Sequence, residues 1–112
     1  SLLRLRDEAE KAVMERRIEK YITVNKDFHF YIYNRCNNKW LVRYIQSLWY
    51  FGRWVNVATL FEHNVAQKYL ASHGRIYEAI RDRDEKALEA AFVDHLNDAL
   101  ESTLRALSRL EK

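Results

Sequence analysis

The sequence predicts an all-α fold, and three observations predict it. The chain contains no proline and two glycines, which removes the punctuation that β-hairpins and sandwiches need. Long Ala/Leu/Glu/Arg-rich segments such as "RDRDEKALEAAF" favour helix by intrinsic propensity. Apolar residues recur at steps of three and four, the spacing that lines one face of an α-helix. Hydrophobic residues make up 48% and charged residues 31%, the balance of a globular chain, and an aromatic share of 13% argues against disorder. At 112 residues the chain is long enough to bury a core and short for two, so residues 1–112 are expected to form one domain.

The first helix is expected from about Leu2 to Arg16, with Leu5, Ala9, Ala12 and Val13 on one side and charges elsewhere. It starts abruptly, with no capping box, which predicts a longer chain upstream. The second helix carries Ile18, Ile22, Asn25, His29 and Ile32 on one face and stops near "RCNNK", where Asn37 and Asn38 supply turn chemistry. A third helix, from about Trp40 through Phe61, holds the patch "LWYFGRW". Trp49, Tyr50, Phe51 and Trp54 there belong to a core or to the wall of a ligand pocket. Gly52 costs that helix about 1 kcal/mol relative to alanine, so it permits a close approach or a kink. The pattern weakens around "EHNVAQK". A fourth helix then runs from about Gln67 to Arg81, with Tyr69, His73, Ile76, Tyr77 and Ile80 on one stripe. The last runs from about Glu85 to Leu110, with Leu88, Phe92, His95, Ala99, Leu107 and Leu110 as inward candidates.

Charge and cysteine content exclude some function classes. The net charge of +3 comes from basic residues interleaved with acidic ones, the pattern of solvated helix faces and not of a nucleic-acid footprint. This chain by itself is not expected to grip DNA. Its one cysteine, Cys36, makes no internal disulfide, and no charged-then-apolar leader opens the sequence. The cytoplasm is the expected compartment. No apolar run approaches the ~20 residues that span a bilayer, so no membrane association is expected.

Polar residues on apolar stripes carry the functional reading. Asn25 and His29 stand one turn apart on the second helix, while His73 and His95 each interrupt the stripe of a later helix. If Asp84 marks the turn, His73 lies eleven residues before it and His95 eleven after. At 1.5 Å per residue both stand about 16 Å from the turn, so an antiparallel hairpin brings them level. Any one of these histidines alone reads as a core imidazole hydrogen-bonded to a carbonyl or a tyrosine. Burying three imidazoles and an amide without strong partners, however, costs on the order of several kcal/mol. One divalent ion would satisfy all four, with Asn25 and His29 reaching it from one helix and His73 and His95 from two others. An imidazole-rich set points to zinc, nickel or a similar transition metal and away from calcium or magnesium. His63 has no partner at matching spacing and reads as a surface or pocket-rim residue.

These residues resemble those of a known family, the ligand-sensing C-terminal domain (FCD) of the FadR subfamily of GntR-type bacterial transcription regulators. "NKDFH" is similar to the family's Asp-x3-His element and gives Asn25 and His29. "SHGRIYEAIRDRD" gives His73 and "FVDHL" gives His95, at a family-like separation of 22 residues. "RCNNKWL" resembles the family's asparagine-marked turn. The resemblance covers nearly the whole chain and implies an antiparallel helical bundle of six or seven helices, here lacking its first helix. It also implies a metal ion held by His29, His73, His95 and Asn25, a small organic-acid effector, a homodimer, and DNA binding through an N-terminal winged helix-turn-helix domain absent from these residues. Two positions depart from the family: Asn25 stands where aspartate is common, and Ser72 precedes His73 where glutamate is usual. An amide oxygen is a poorer donor than a carboxylate.

With three histidines and a weak fourth ligand, a bound ion would keep an open position suited to a carboxylate. Arg53, in "YFGRW", resembles the family's effector-side cation and could contact the same acid bidentately; a salt bridge is the alternative role. No catalytic residue is assigned. Two other functions fit the sequence less closely. A small metallohydrolase would use three histidines and water, but no carboxylate stands one turn from His29 as an obvious general base. A helical interaction module would bind neither metal nor acid.

Overall fold

Among the described residues five helices follow one another: α1 (Leu2–Met14), α2 (Ile18–Tyr33), α3 (Lys39–Leu60), α4 (Val65–Arg81) and α5 (Glu85–Leu110). This computed structural model describes the backbone of residues 1–35, 37–60 and 65–110, and the side chains of 1–35, 37–49 and 65–109. Among the described residues there is no strand, and the all-α fold is as the composition predicts. No described helix is long and apolar enough to cross a membrane. The chain divides into two compact units, Ser1–Val57 and Ala58–Lys112.

In the first unit α1 packs along α2. The buried stripe of α1 is Leu2, Leu5, Ala9 and Ala12, at helical steps of three and four, and α2 contributes Tyr21, Ile22, Val24 and Phe28. Phe28 of α2 is fully buried; burial of such a side chain stabilises by about 1.5–3 kcal/mol. Although no capping box opens the sequence, Ser1 caps α1, its hydroxyl accepting from the backbone N–H of Arg4 at 3.2 Å. The helix ends at Met14, two residues sooner than periodicity suggests. Arg16 there takes a left-handed conformation with φ 58°. The amides of Arg16 and Arg17 return to the carbonyls of Val13 and Ala12, at 3.1 and 2.9 Å, which is the Schellman closure of a helix end.

Asn38 serves as the N-cap of α3, its side-chain oxygen accepting from the Leu41 N–H at 3.0 Å. One turn chemistry thus both interrupts the chain after α2 and starts the next helix. Trp49 of α3 turns its ring toward Phe30 of α2, with centroids 5.5 Å apart. Tyr50, Phe51, Gly52 and Trp54 lie outside the described side chains.

In the second unit α4 and α5 pack against each other around Val65, Tyr69, Ile76, Ala79, Ala91 and Ala106. The turn between them repeats the closure seen after α1. Arg83 is left-handed with φ 54°, and the amides of Arg83 and Asp84 bond the carbonyls of Ile80 and Ala79, at 3.1 and 3.0 Å. Asp84 then caps α5, its carboxylate accepting from the Ala87 N–H at 3.0 Å. With two glycines in the whole sequence, arginines occupy both left-handed positions among the described residues, where a Cβ is disfavoured. The helix α4 starts at Val65, slightly earlier than expected. Leu107 does not point inward: it is 41% exposed and lies with Val93, Leu96, Leu100 and Leu104 on the outer face of α5.

Candidate metal centre

Asn25 and His29 occupy one face of α2, one turn apart, as their spacing predicts, and both are buried. Ile22 on the same stripe is buried and Ile18 and Ile32 are half-buried, so the imidazole and the amide sit within an apolar surround. Aromatic rings fix the orientation of His29. Phe28 meets it edge to face at 5.4 Å. Tyr33, one turn on, stacks at 6.1 Å with an interplanar angle of 23°, and Trp49 of α3 closes in at 5.3 Å. Burial pushes the Tyr33 phenol above its ordinary pKa, which marks this surround as one that disfavours charge. The Asn25 Oδ1 is buried with no hydrogen-bond partner among the described residues. A buried carbonyl oxygen in that state calls for an electropositive partner.

The second unit holds the other two histidines. His73 on α4 is fully buried and His95 on α5 nearly so. Their ring centroids lie 5.2 Å apart at 58°, so the hairpin brings level the two residues that stand equally far from its turn. Tyr69, one turn before His73, meets His95 edge to face at 5.6 Å. Burial, reinforced by the nearby His95, lowers the pKa of His73 to about 3. Burial also lowers that of His95, with Arg75 acting in the same direction and Asp98 opposing it. Both imidazoles are therefore neutral at physiological pH. Neutral imidazole is the form that offers a lone pair to a metal.

Ser72, at the position where glutamate was expected from the family, is fully buried. Its hydroxyl donates to the Lys68 carbonyl at 3.0 Å and accepts from Arg75 Nη2 at 3.3 Å. It satisfies itself on its own helix and adds no charge beside His73. Arg53 falls in the part of α3 whose side chains are outside the described residues, and His63 lies outside them altogether.

Sequence spacing finds Asn25, His29, His73 and His95 but not the aromatic surround. Tyr33 is detectable in principle, since it stands four residues after His29 on the same face. Trp49 leaves no such signal, because its place beside His29 depends on how α3 folds back on α2. The influence of Arg75 and Asp98 on His95 is likewise set by packing.

A sequence model of the FCD domain matches residues 1–98. Comparison with curated proteins and with solved structures gives no match. The matched span takes in α1 through α4 and the part of α5 that carries His95, and with it every buried histidine described above. The chain belongs to the FCD domain family.

Proposed function

We propose that this FCD domain is the effector-sensing part of a GntR-family transcription regulator of the FadR type. In this reading His29, His73 and His95, with Asn25 as a weak fourth ligand, hold one divalent transition metal, zinc or nickel by donor chemistry. The observation that carries the reading is the buried pair His73 and His95, 5.2 Å apart and held neutral by burial, inside a domain of a regulatory, ligand-sensing family. The three buried histidines make a group that could hold a metal ion. The bare Asn25 Oδ1 fits the same purpose, since a cation would satisfy it.

When bound, the ion supplies a Lewis-acidic position for the carboxylate of a small organic acid. The residues of the chain do the rest. His73 and His95 stay neutral because burial excludes the proton, the aromatic rings around His29 fix its orientation, and Arg53 contributes a guanidinium to the effector. Sensing, and not catalysis, is the proposed role. Effector binding shifts the population of helix arrangements in a homodimer, and a DNA-binding domain upstream in the full regulator reads the change. The cytoplasm is the compartment that this role requires.

A thermal-shift screen of small carboxylic acids, run with and without zinc or nickel, tests the proposal. A stabilising acid whose effect requires the metal, and grows with the logarithm of ligand concentration, supports it. No shift from either metal would overturn it.

A further inference from the structure

Among the described residues the buried side chains carry no negative charge. Those that are polar are Asn25, His29, Ser72, His73, His95 and Ser102, with no aspartate or glutamate. The carboxylates of α2, Glu19 and Asp27, are exposed. On α5 the half-buried Asp98 acts on His95, and Arg75 acts on it in the opposite sense. His73 and His95 are neutral, as their lowered pKa values require. His29 ligates a metal only as neutral imidazole, and the amide of Asn25 is uncharged. No carboxylate of the described residues joins the three histidines in the group that could hold an ion.

We infer that Asn25 makes the proposed site charge-selective: with a neutral amide in the ligand set, a divalent cation is held tightly only together with a doubly charged acid, so the effector is a small dicarboxylate. The inference deepens the metal-and-acid reading of the proposed function and rests on it.

The physical reason is countercharge. Taking a divalent ion out of water costs more the less its charge is compensated. Imidazole and amide donors supply lone pairs and cancel none of that charge. An acid with one carboxylate cancels half of it, and a dicarboxylate cancels all. Arg53, proposed to contact the same acid, adds a positive charge and raises the demand. Asn25 is the position at which the chain could have supplied the charge itself. Its Oδ1 is buried with no hydrogen-bond partner among the described residues, one turn from His29 on the same face of α2. A carboxylate of the same shape there would bring the countercharge into the fold; with an amide in its place, the countercharge arrives with the ligand. Ser72, next to His73, adds none, since its hydroxyl is engaged with the Lys68 carbonyl and with Arg75. Because linkage is reciprocal, acid and metal tighten each other by the same factor. The site then loads with metal when the acid is present.

The test is a competition titration of the 112-residue chain against a chromophoric zinc chelator in a chloride-free sulfonate buffer, with no acid, with acetate and with malonate. Malonate is expected to tighten zinc by at least about tenfold, and acetate by clearly less. Asn25→Asp is expected to bind zinc more tightly without acid and to lose most of the malonate effect. Asn25→Ala removes the oxygen and leaves the set neutral; it is expected to bind zinc more weakly and to keep that effect, which decides the role of charge should Asn25→Asp not fold. No zinc binding by the parent chain in any of the three conditions would overturn the metal reading and this inference together. Zinc bound equally with and without malonate would overturn the inference and leave the metal site standing. Acetate as effective as malonate would overturn the dicarboxylate assignment. An undiminished malonate effect in Asn25→Asp, or its loss in Asn25→Ala, would overturn the role of Asn25.

Discussion

His73 shows how one residue ties stability to function. Its folded-state pKa of about 3 lies below the ordinary 6.5, so the unfolded chain binds a proton in the window between those values and the folded chain does not. Stability is therefore fully present above pH 6.5 and falls as pH drops from there toward 3, by up to about 1.4 kcal/mol per pH unit for a single such group. His95 is shifted the same way and adds to the loss. Denaturant melts of the metal-free chain should show this slope, and it should flatten in a His73→Gln variant. A bound metal makes the dependence steeper, because protons and metal compete for the same lone pairs. Replacing His73 or His95 with alanine should also abolish bound metal; equal metal content by elemental analysis in parent and variants would reject the site. Asn25→Asp, which restores the carboxylate common in the family, should tighten zinc binding in a competition titration.

Helix ends govern the element scale. Arg83 holds a left-handed conformation, φ 54°, that favours glycine. Arg83→Gly should stabilise the α4–α5 hairpin by about 0.5–1 kcal/mol, the relief of the Cβ clash less the added freedom of the unfolded chain. Asp84→Ala, in contrast, removes the cap at Ala87 and should cost about 1 kcal/mol. Both changes are read by thermal denaturation followed at 222 nm by circular dichroism. Their signs are opposite although the residues adjoin, because one position pays for a side chain and the other depends on it. The hairpin also sets the register of the candidate site: an insertion in residues 82–84 would move His95 past His73.

At the scale of the whole molecule, each unit has its own buried residues, His29 among those of the first and His73 and His95 among those of the second. A metal held by all three should raise hydrogen-exchange protection in α2 and in α4 and α5 together. Protection that rises in α4 and α5 alone would remove His29 from the set. Truncating Phe28, fully buried in α2, should cost about 3–5 kcal/mol as Phe→Ala. That loss would fall on the first unit.

Helical periodicity, a near absence of turn residues and the placement of imidazoles on apolar stripes were enough to determine the helices, their approximate order and the four candidate ligands, because these depend on local geometry that repeats every three or four residues. The equal distance of His73 and His95 from Asp84 even predicted that they meet, since a tight turn leaves few other arrangements. What folding alone decided is non-local. Trp49 came to lie beside His29, Leu107 joined an outer stripe where periodicity suggested the core, and arginines filled left-handed positions. A helix with two apolar faces reads the same from either side in sequence; which face is buried depends on the partner that reaches it first.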